Sequence, residues 1–347
     1  MTPIALVRLP VLRPILQFLT RIGAPVERYV ACADISPATL QKSEALIPLG
    51  QACRFLREAA AGERIPNLGL LAGEHAAIES LGVYGRLIRR SRTLGEAIGT
   101  MVHLSSGFNS GEQWWLERSE RDVRLCHQYT ERLGPADAQV DHYGTALVVT
   151  LIRLAAGPSW TPVEVQLSTG YSSEVVGSPL FAGTRLAFDQ PTTTITLRDT
   201  LLDKILRATP TAQLSSRDVE LWRQSAPAND IQGSMRQVFL AVAPRIGHLR
   251  IEHAAAALGL SVRTLQRRLA GVGLCFEDMV RTMRLDMAAD LLERTNAKVL
   301  DIALDLGYSD HAHFTRAFRG WTGLPPLEYR RRHRAAPNPS RADALSA

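Results

Sequence analysis

Two kinds of apolar spacing divide this chain. Over Leu40–Ala61 and Leu87–Leu104 apolar residues recur every three or four positions, which predicts helices. Trp114–Glu117 and Val123–Tyr129 alternate as strands do, with a charged turn at Arg118–Asp122 between them. Asp141–Ala156 reads as a buried helix, and Val163–Leu167 and Thr192–Leu197 as further strands, the latter rich in β-branched residues. The mixture predicts an α+β domain over residues 1–206. Arg207–Asn229 carries Pro210, Pro227 and many small polar residues, so a linker is expected at 207–230, with a short helix at Val219–Gln224. From Ile231 the spacing is helical throughout, giving an all-α domain at 231–334. The remainder, 335–347, is Ala-, Pro- and Ser-rich and reads as a disordered tail.

Within the all-α domain a single pattern occurs twice, 48 residues apart: Ala254-Ala255-Ala256-Ala257-Leu258-Gly259-Leu260-Ser261 and Ile302-Ala303-Leu304-Asp305-Leu306-Gly307-Tyr308-Ser309. Glycine fits the left-handed backbone at a helix end, and Ser261 and Ser309 are suited to cap the helix that follows. Small Ala255 and Ala303 leave room for a second helix to cross closely. The repeat therefore predicts two helix-turn-helix units. In the first, Leu265 and Leu269 form the core face of the second helix and Arg263, Gln266 and Arg267 its outer face. In the second, Phe314 and Phe318 face the core, and His311, His313, Arg316 and Arg319 face out. Arginine forks onto guanine and Gln onto adenine, while Ser and Thr reach phosphate or base. Between the units, Phe276–Leu292 reads as a single long helix with one apolar face, which would fix their separation.

Charge sharpens this picture. The chain of 347 residues carries a net +6, and residues 231–334 hold 16 Lys and Arg against 10 Asp and Glu, so the rest is balanced at 24 of each. A basic domain joined to a neutral one fits a nucleic-acid module with a partner domain. The apolar N-terminal stretch Pro3–Leu19 is broken by Arg8, Pro10, Arg13 and Pro14, so it suits neither a signal sequence nor a membrane span, and a cytoplasmic location on DNA is expected. Cys32, Cys53, Cys126 and Cys275 are scattered and read as buried, reduced thiols, Cys275 as a small core residue beside Phe276. His311-x-His313 points two ways on a helix and makes no metal pair. Of Trp114-Trp115 at most one could line a pocket, and core packing is the favoured reading. Arg86, Arg89, Arg90 and Arg92 fit a solvated or interface helix face better than an anion site. His127 and His142 have no partner at catalytic spacing. No catalytic signature is present, so neither enzyme, metal nor cofactor is expected.

The run Ile302-Ala303-x-x-Leu306-Gly307-Tyr308-Ser309-Asp310-x-x-His313-Phe314-Thr315-Arg316-Ala317-Phe318-Arg319, followed by Gly323-x-Pro325 and Tyr329-Arg330, closely resembles the DNA-binding domain of the AraC/XylS family of transcription regulators. Tyr308 stands where Phe is commoner in that family, and Pro325-Pro326 has one proline more than usual. The resemblance places base-reading positions on Arg263, Gln266 and Arg267 in the first unit and on His311, Ala312, His313 and Arg316 in the second. Ser261, Thr264, Arg268, Ser309, Thr315 and Arg319 are further DNA-contact candidates. Gly69–Gly85, the residues Phe181, Arg185, Phe188 and Asp189, and Leu201-Leu202-Asp203 resemble the arabinose-binding-type, non-cupin sensor domain of a subgroup of this family, in which effectors are diverse small metabolites. The resemblance implies a ligand-responsive activator, a homodimer, with promoter DNA and RNA polymerase as partners. Two rivals stay open: a ligand-independent regulator whose first domain only dimerises, and a DNA-modifying enzyme fused to a helix-turn-helix domain, such as an alkyl acceptor that would need a reactive or zinc-bound cysteine cluster.

Overall fold

The computed structural model describes residues 3–130, 137–206, 214–242, 250–258 and 260–333. It divides into two compact units: Thr2–Ala241 with Ala257–Gly259, and Val242–Ala256 with Leu260–Ala347.

The N-terminal unit is mixed α/β. It opens with β1 (Leu6–Arg8), which pairs antiparallel with β2 (Leu46–Pro48). The helices are α1 (Arg13–Arg21), α2 (Val26–Cys32), α3 (Pro37–Leu40), α4 (Leu49–Glu63), α5 (Leu68–Glu74), α6 (Gly82–Arg89) and α7 (Leu94–Phe108). Helix α4 begins later than the apolar spacing from Leu40 predicts, because Leu46–Pro48 is drawn into the pairing with β1. The hairpin β3 (Glu112–Arg118) and β4 (Asp122–Tyr129) forms where the alternation predicts it. Then come α8 (Asp137–Ala156), β5 (Glu164–Gln166), α9 (Ser173–Val176), β6 (Arg185–Ala187) and β7 (Thr193–Arg198). The larger sheet runs β3-β4-β7-β5-β6, antiparallel except for the β5–β6 pair.

Helix α8 is buried because it serves two cores at once. Ala146, Val149 and Ile152 join the cluster built on the sheet, and Tyr143 joins the cluster of α1, α2 and α4. Helix α5 crosses α8 at backbone distance. A Cβ on Gly69 would fall 2.0 Å from the Gln139 carbonyl oxygen, and one on Gly73 would fall 2.7 Å from both the Ala146 Cβ and the Tyr143 carbonyl oxygen. Only glycine permits that approach.

The expected linker and the expected start of the second domain both need correction. Residues 214–230 are built into the N-terminal unit, and so is most of α11 (Ile231–Val242). Leu214 and Trp222, the latter on α10 (Ser216–Gln224), are buried in its core. Arg8, wholly buried, donates to the Trp222 carbonyl at 2.5 Å and to the Gly107 carbonyl at 2.7 Å, and lies over the Trp222 ring. Burial lowers its pKa to about 10. Ser234 of α11 accepts from the Ile4 amide at 2.9 Å. These long-range anchors leave no trace in local composition. Residues 207–213 and the expected tail lie outside the described residues.

The second unit is helical: α12 (Ile251–Ala257), α13 (Val262–Ala270), α14 (Phe276–Arg294), α15 (Val299–Asp305), α16 (His311–Thr322) and α17 (Pro326–His333). Among the described residues, no helix of either unit is long and apolar enough to cross a membrane.

Candidate nucleic-acid interface and an enclosed charge network

The two helix-turn-helix units share one turn. In the second, Tyr308 N–H donates to the Ala303 carbonyl and Gly307 N–H to the Leu304 carbonyl, with Gly307 at φ +81°, which is the Schellman closure of a helix end. In the first, Leu260 N–H donates to the Ala255 carbonyl, the same long bond at the matching position. Gly259 itself lies outside the described residues. Leu265, Leu269, Phe314 and Phe318 are all buried, as the core-facing assignment requires.

The caps of the two second helices differ. Ser261 accepts from Thr264 N–H at 3.2 Å and caps α13, its hydroxyl 2.9 Å from that of Thr264. Ser309 does not cap α16. Asp310 does, accepting from His313 N–H at 2.7 Å, while Ser309 donates to Asp310 at 3.1 Å. A carboxylate is favoured there by the partial positive charge of the helix start. Those bonds, first the one from His313 N–H and then the one from Ser309, hold the Asp310 pKa below the usual carboxylate range.

Arg263, Gln266, Arg267, His311, Ala312, His313, Arg316 and Arg319 are exposed, and Arg268 is half-buried. Among the described residues, no ion pair or hydrogen bond engages the side chains of Arg263, Gln266, Arg267, Arg316 or Arg319. Elsewhere in the unit Arg281 pairs with Asp278, Arg294 with Asp290 and Arg332 with Glu328, while Arg250 and Arg331 are exposed and unpaired among the described residues. Four of the six exposed, unpaired arginines among the unit's described residues, Arg263, Arg267, Arg316 and Arg319, thus lie on α13 and α16. His313 stacks edge-on against Tyr308. Thr315 does not fit the contact role expected of it, because its hydroxyl oxygen is buried with no hydrogen-bond partner.

Helix α14 is the long connecting helix, burying Phe276, Met279, Val280, Met283, Leu285, Ala288 and Leu292. Cys275 is not a core residue. It is exposed and caps α14, its sulfur accepting from Asp278 N–H at 3.4 Å. Cys32 is exposed too, Cys53 and Cys126 are buried, and all four are free thiols. Helix α17 locks onto the end of α14: Tyr329 donates to Glu293 at 2.9 Å, and Arg330 donates to the Leu292 and Ala297 carbonyls at 3.2 and 2.6 Å. The additional proline, Pro326, is the first residue of α17, where a missing N–H costs nothing.

The N-terminal unit holds a second feature that local sequence reading misses. Between its two cores lies an apolar cavity of about 80 Å³, taken as the space open to the centre of a water molecule. Ile15, Leu56, Ile88, Met101, Phe108 and Leu151 are among its walls, and Trp114, Tyr129, Asn109 and Glu112 also line it. Trp114 therefore faces the cavity, while Trp115 reaches back to Glu117 at 3.1 Å. Behind Trp114 lies His127, stacked on it at 4.2 Å and only 2% exposed, with Glu112 at 3.3 Å and Asp141 at 3.6 Å. Thr193 donates to Asp141 at 2.7 Å. Burial pulls the imidazole pKa down, but the flanking carboxylates of Asp141 and Glu112 outweigh it and hold the pKa at about 9. The arginines of α6 and its following turn have structural uses: Arg89 is buried against Glu79 at 2.5 Å, Arg90 donates to the Leu214 carbonyl, and Arg86 to that of Gly82.

Comparison with known proteins agrees with both units. Residues 23–206 match the family model described as the arabinose-binding domain of AraC transcription regulators, and residues 254–332 match a helix-turn-helix domain. The chain belongs to the AraC family of transcription regulators, with an arabinose-binding-type N-terminal domain and a C-terminal helix-turn-helix domain that binds DNA. It is 27% identical over 286 residues to the ornithine utilization regulator of Pseudomonas aeruginosa, covering 80% of this chain and 81% of that one. It is 26% identical over 333 residues to the regulator VirS of Mycobacterium tuberculosis, covering 90% and 92%. Among solved structures, the transcriptional regulator CdpR of Pseudomonas aeruginosa is 21% identical, with coverage of 88% of this chain and 96% of that one and a TM-score of 0.40.

Proposed function

We propose that this regulator reads promoter DNA with α13 and α16 together, and that a small molecule bound to its N-terminal unit sets how well it does so. The observation that carries the reading is that Arg263, Arg267, Arg316 and Arg319 stand exposed and unpaired on these two helices, while Arg281, Arg294 and Arg332 are paired. An unpaired guanidinium held on a rigid helix keeps its full set of donors for a guanine edge or a phosphate. Arg263, Gln266 and Arg267 read one major-groove segment, and His311, His313 and Arg316 the next, about 34 Å along the duplex. Ala312 contributes only contact with a thymine methyl. Ser261, Thr264, Arg268, Ser309 and Arg319 supply contacts to the backbone.

The regulator acts as a homodimer and activates transcription through RNA polymerase, with ligand binding shifting the population of DNA-competent arrangements. The similar ornithine utilization regulator is named for the use of a small metabolite, which supports a small-molecule effector. The test is a mobility-shift titration of the full chain on DNA flanking its own gene. Arg267→Ala and Arg316→Ala should each cost about 1–3 kcal/mol of specific affinity. Unchanged operator affinity in both variants would refute the assignment.

A further inference from the structure

We propose that the cavity of the N-terminal unit is the effector site and that it takes a small, mainly apolar amine, its hydrocarbon body in the cavity and its ammonium group on the Glu112 carboxylate. This rests on the ligand-responsive reading above and narrows it to one chemical class.

The walls decide the body of the ligand. They come mainly from α1, α4, α6, α7 and α8, with β3 and β4 contributing, and are aliphatic or aromatic almost throughout. A sugar, which carries a hydroxyl on nearly every carbon, would lose its water there and find few partners. The name of the domain family is thus a poor guide to the ligand of this member. The space is about 80 Å³, roughly half the 150 Å³ or so that holds a benzene ring, which fits a short hydrocarbon chain.

The polar groups decide the head. The hydroxyls of Tyr84 and Tyr143, both lining the cavity, donate to the Met101 and Val11 carbonyls and are spent as donors. Glu112 is the charged residue of the wall. Behind it the enclosed network holds two carboxylates, Glu112 and Asp141, against one imidazolium, His127. Among the described residues, His127 is the one cation paired with either carboxylate. His142, next along α8, is held low by burial and adds no charge at neutral pH. One negative charge is therefore left over beside an apolar cavity, and a buried unbalanced charge is costly. A ligand ammonium cancels it, and a carboxylate ligand would double it.

A second, independent observation marks the same space as reserved. Val140, Gly144, Leu147 and Leu151 follow one another at steps of four and three along α8, and all four line the cavity. Glycine in a helix interior is the less stable choice relative to alanine. At the neighbouring crossing, Gly69 and Gly73 are excused by backbone contact. At Gly144 nothing lies within 4 Å of where a Cβ would stand. The missing side chain relieves no clash; it leaves the cavity open.

The experiment is calorimetric titration of the full chain, without DNA, with propylamine and butylamine, and with butyrate, benzoate and L-arabinose as comparisons. The amines should bind one per chain with Kd between roughly 10 µM and 1 mM, while butyrate, benzoate and arabinose should give no saturable heat. Glu112→Gln should weaken amine binding about tenfold or more. Gly144→Leu, which fills the space without crowding backbone, should abolish binding in a chain that keeps its circular dichroism and its DNA affinity. Absence of amine binding, or amine binding untouched by both substitutions, would overturn the assignment. If the amines bind as described but operator affinity is unmoved, the site stands and the ligand-responsive reading fails. If another metabolite shifts operator affinity while no amine binds, the reverse holds.

Discussion

The two units treat charge in opposite ways. In the helix-turn-helix unit, Arg263, Arg267, Arg316 and Arg319 stand free on the outside of two short helices whose inner faces are Leu265, Leu269, Phe314 and Phe318. In the N-terminal unit, His127, Glu112 and Asp141 are folded inward, behind an aromatic ring and against an apolar cavity. Charge left outside, unpaired, serves a large polyanion that approaches from solvent and releases its counterions on contact. Charge enclosed suits a ligand small enough to be enclosed with it. On the proposed reading, one chain carries two binding sites distinguished by whether their charge faces out or in.

The largest effect should come from removing what holds the outward face in place. Phe314→Ala empties a fully buried position behind α16 and should destabilise the C-terminal unit by about 3–5 kcal/mol. Thermal unfolding followed by calorimetry reads this directly. By contrast, Arg316→Ala, two residues on, should leave stability within about 0.5 kcal/mol because its side chain holds nothing in place. Equal losses in both would erase the distinction between scaffold and reading face.

The inward charge makes a pH prediction. The folded His127 pKa, about 9, lies above its ordinary value of 6.5. Its contribution is therefore fully present below pH 6.5 and is lost as pH rises through 9. The groups facing it are Glu112 and Asp141, with Thr193 bonded to the latter. The N-terminal unit should lose on the order of 2 kcal/mol across that window from this one group. Denaturant titrations at pH 6.5 and 9 should show the loss, and His127→Gln should remove most of it. A wild-type stability that is flat or rises over this window would place the proton elsewhere.

A smaller effect of opposite sign belongs to Gly144. Gly144→Ala should stabilise the unit by about 0.5–1 kcal/mol, since the new methyl meets open space in a helix interior. A loss of stability there would mean that the space is not open.

The outward helix-turn-helix geometry was legible in the sequence and the inward network was not, for a physical reason. A helix-turn-helix is written in neighbours: Gly307 ends one helix, Tyr308 turns back, and Phe314 and Phe318 repeat at four residues, so local spacing specifies the turn and the buried face. Even there, which residue caps α16 depended on a competition between adjacent side chains, Ser309 and Asp310, that spacing does not decide. The inward network joins residues from β3, β4 and α8. Trp114 meets His127 only through the hairpin register, and Asp141 arrives from a helix beyond it. Alternation along β4 predicted the strand, but nothing local paired His127 with Glu112. The linker assignment failed similarly, since Trp222 and Ser234 are fixed by Arg8 and Ile4, more than two hundred residues away.

The central claim is that α13 and α16 read successive segments of one duplex through their unpaired arginines. Hydroxyl-radical footprinting of the full chain on its operator tests it most directly. The wild type should protect two zones whose centres lie about 10 base pairs apart. Arg267→Ala should thin one zone and Arg316→Ala the other. A single protected zone, or one thinned equally by both substitutions, would contradict it.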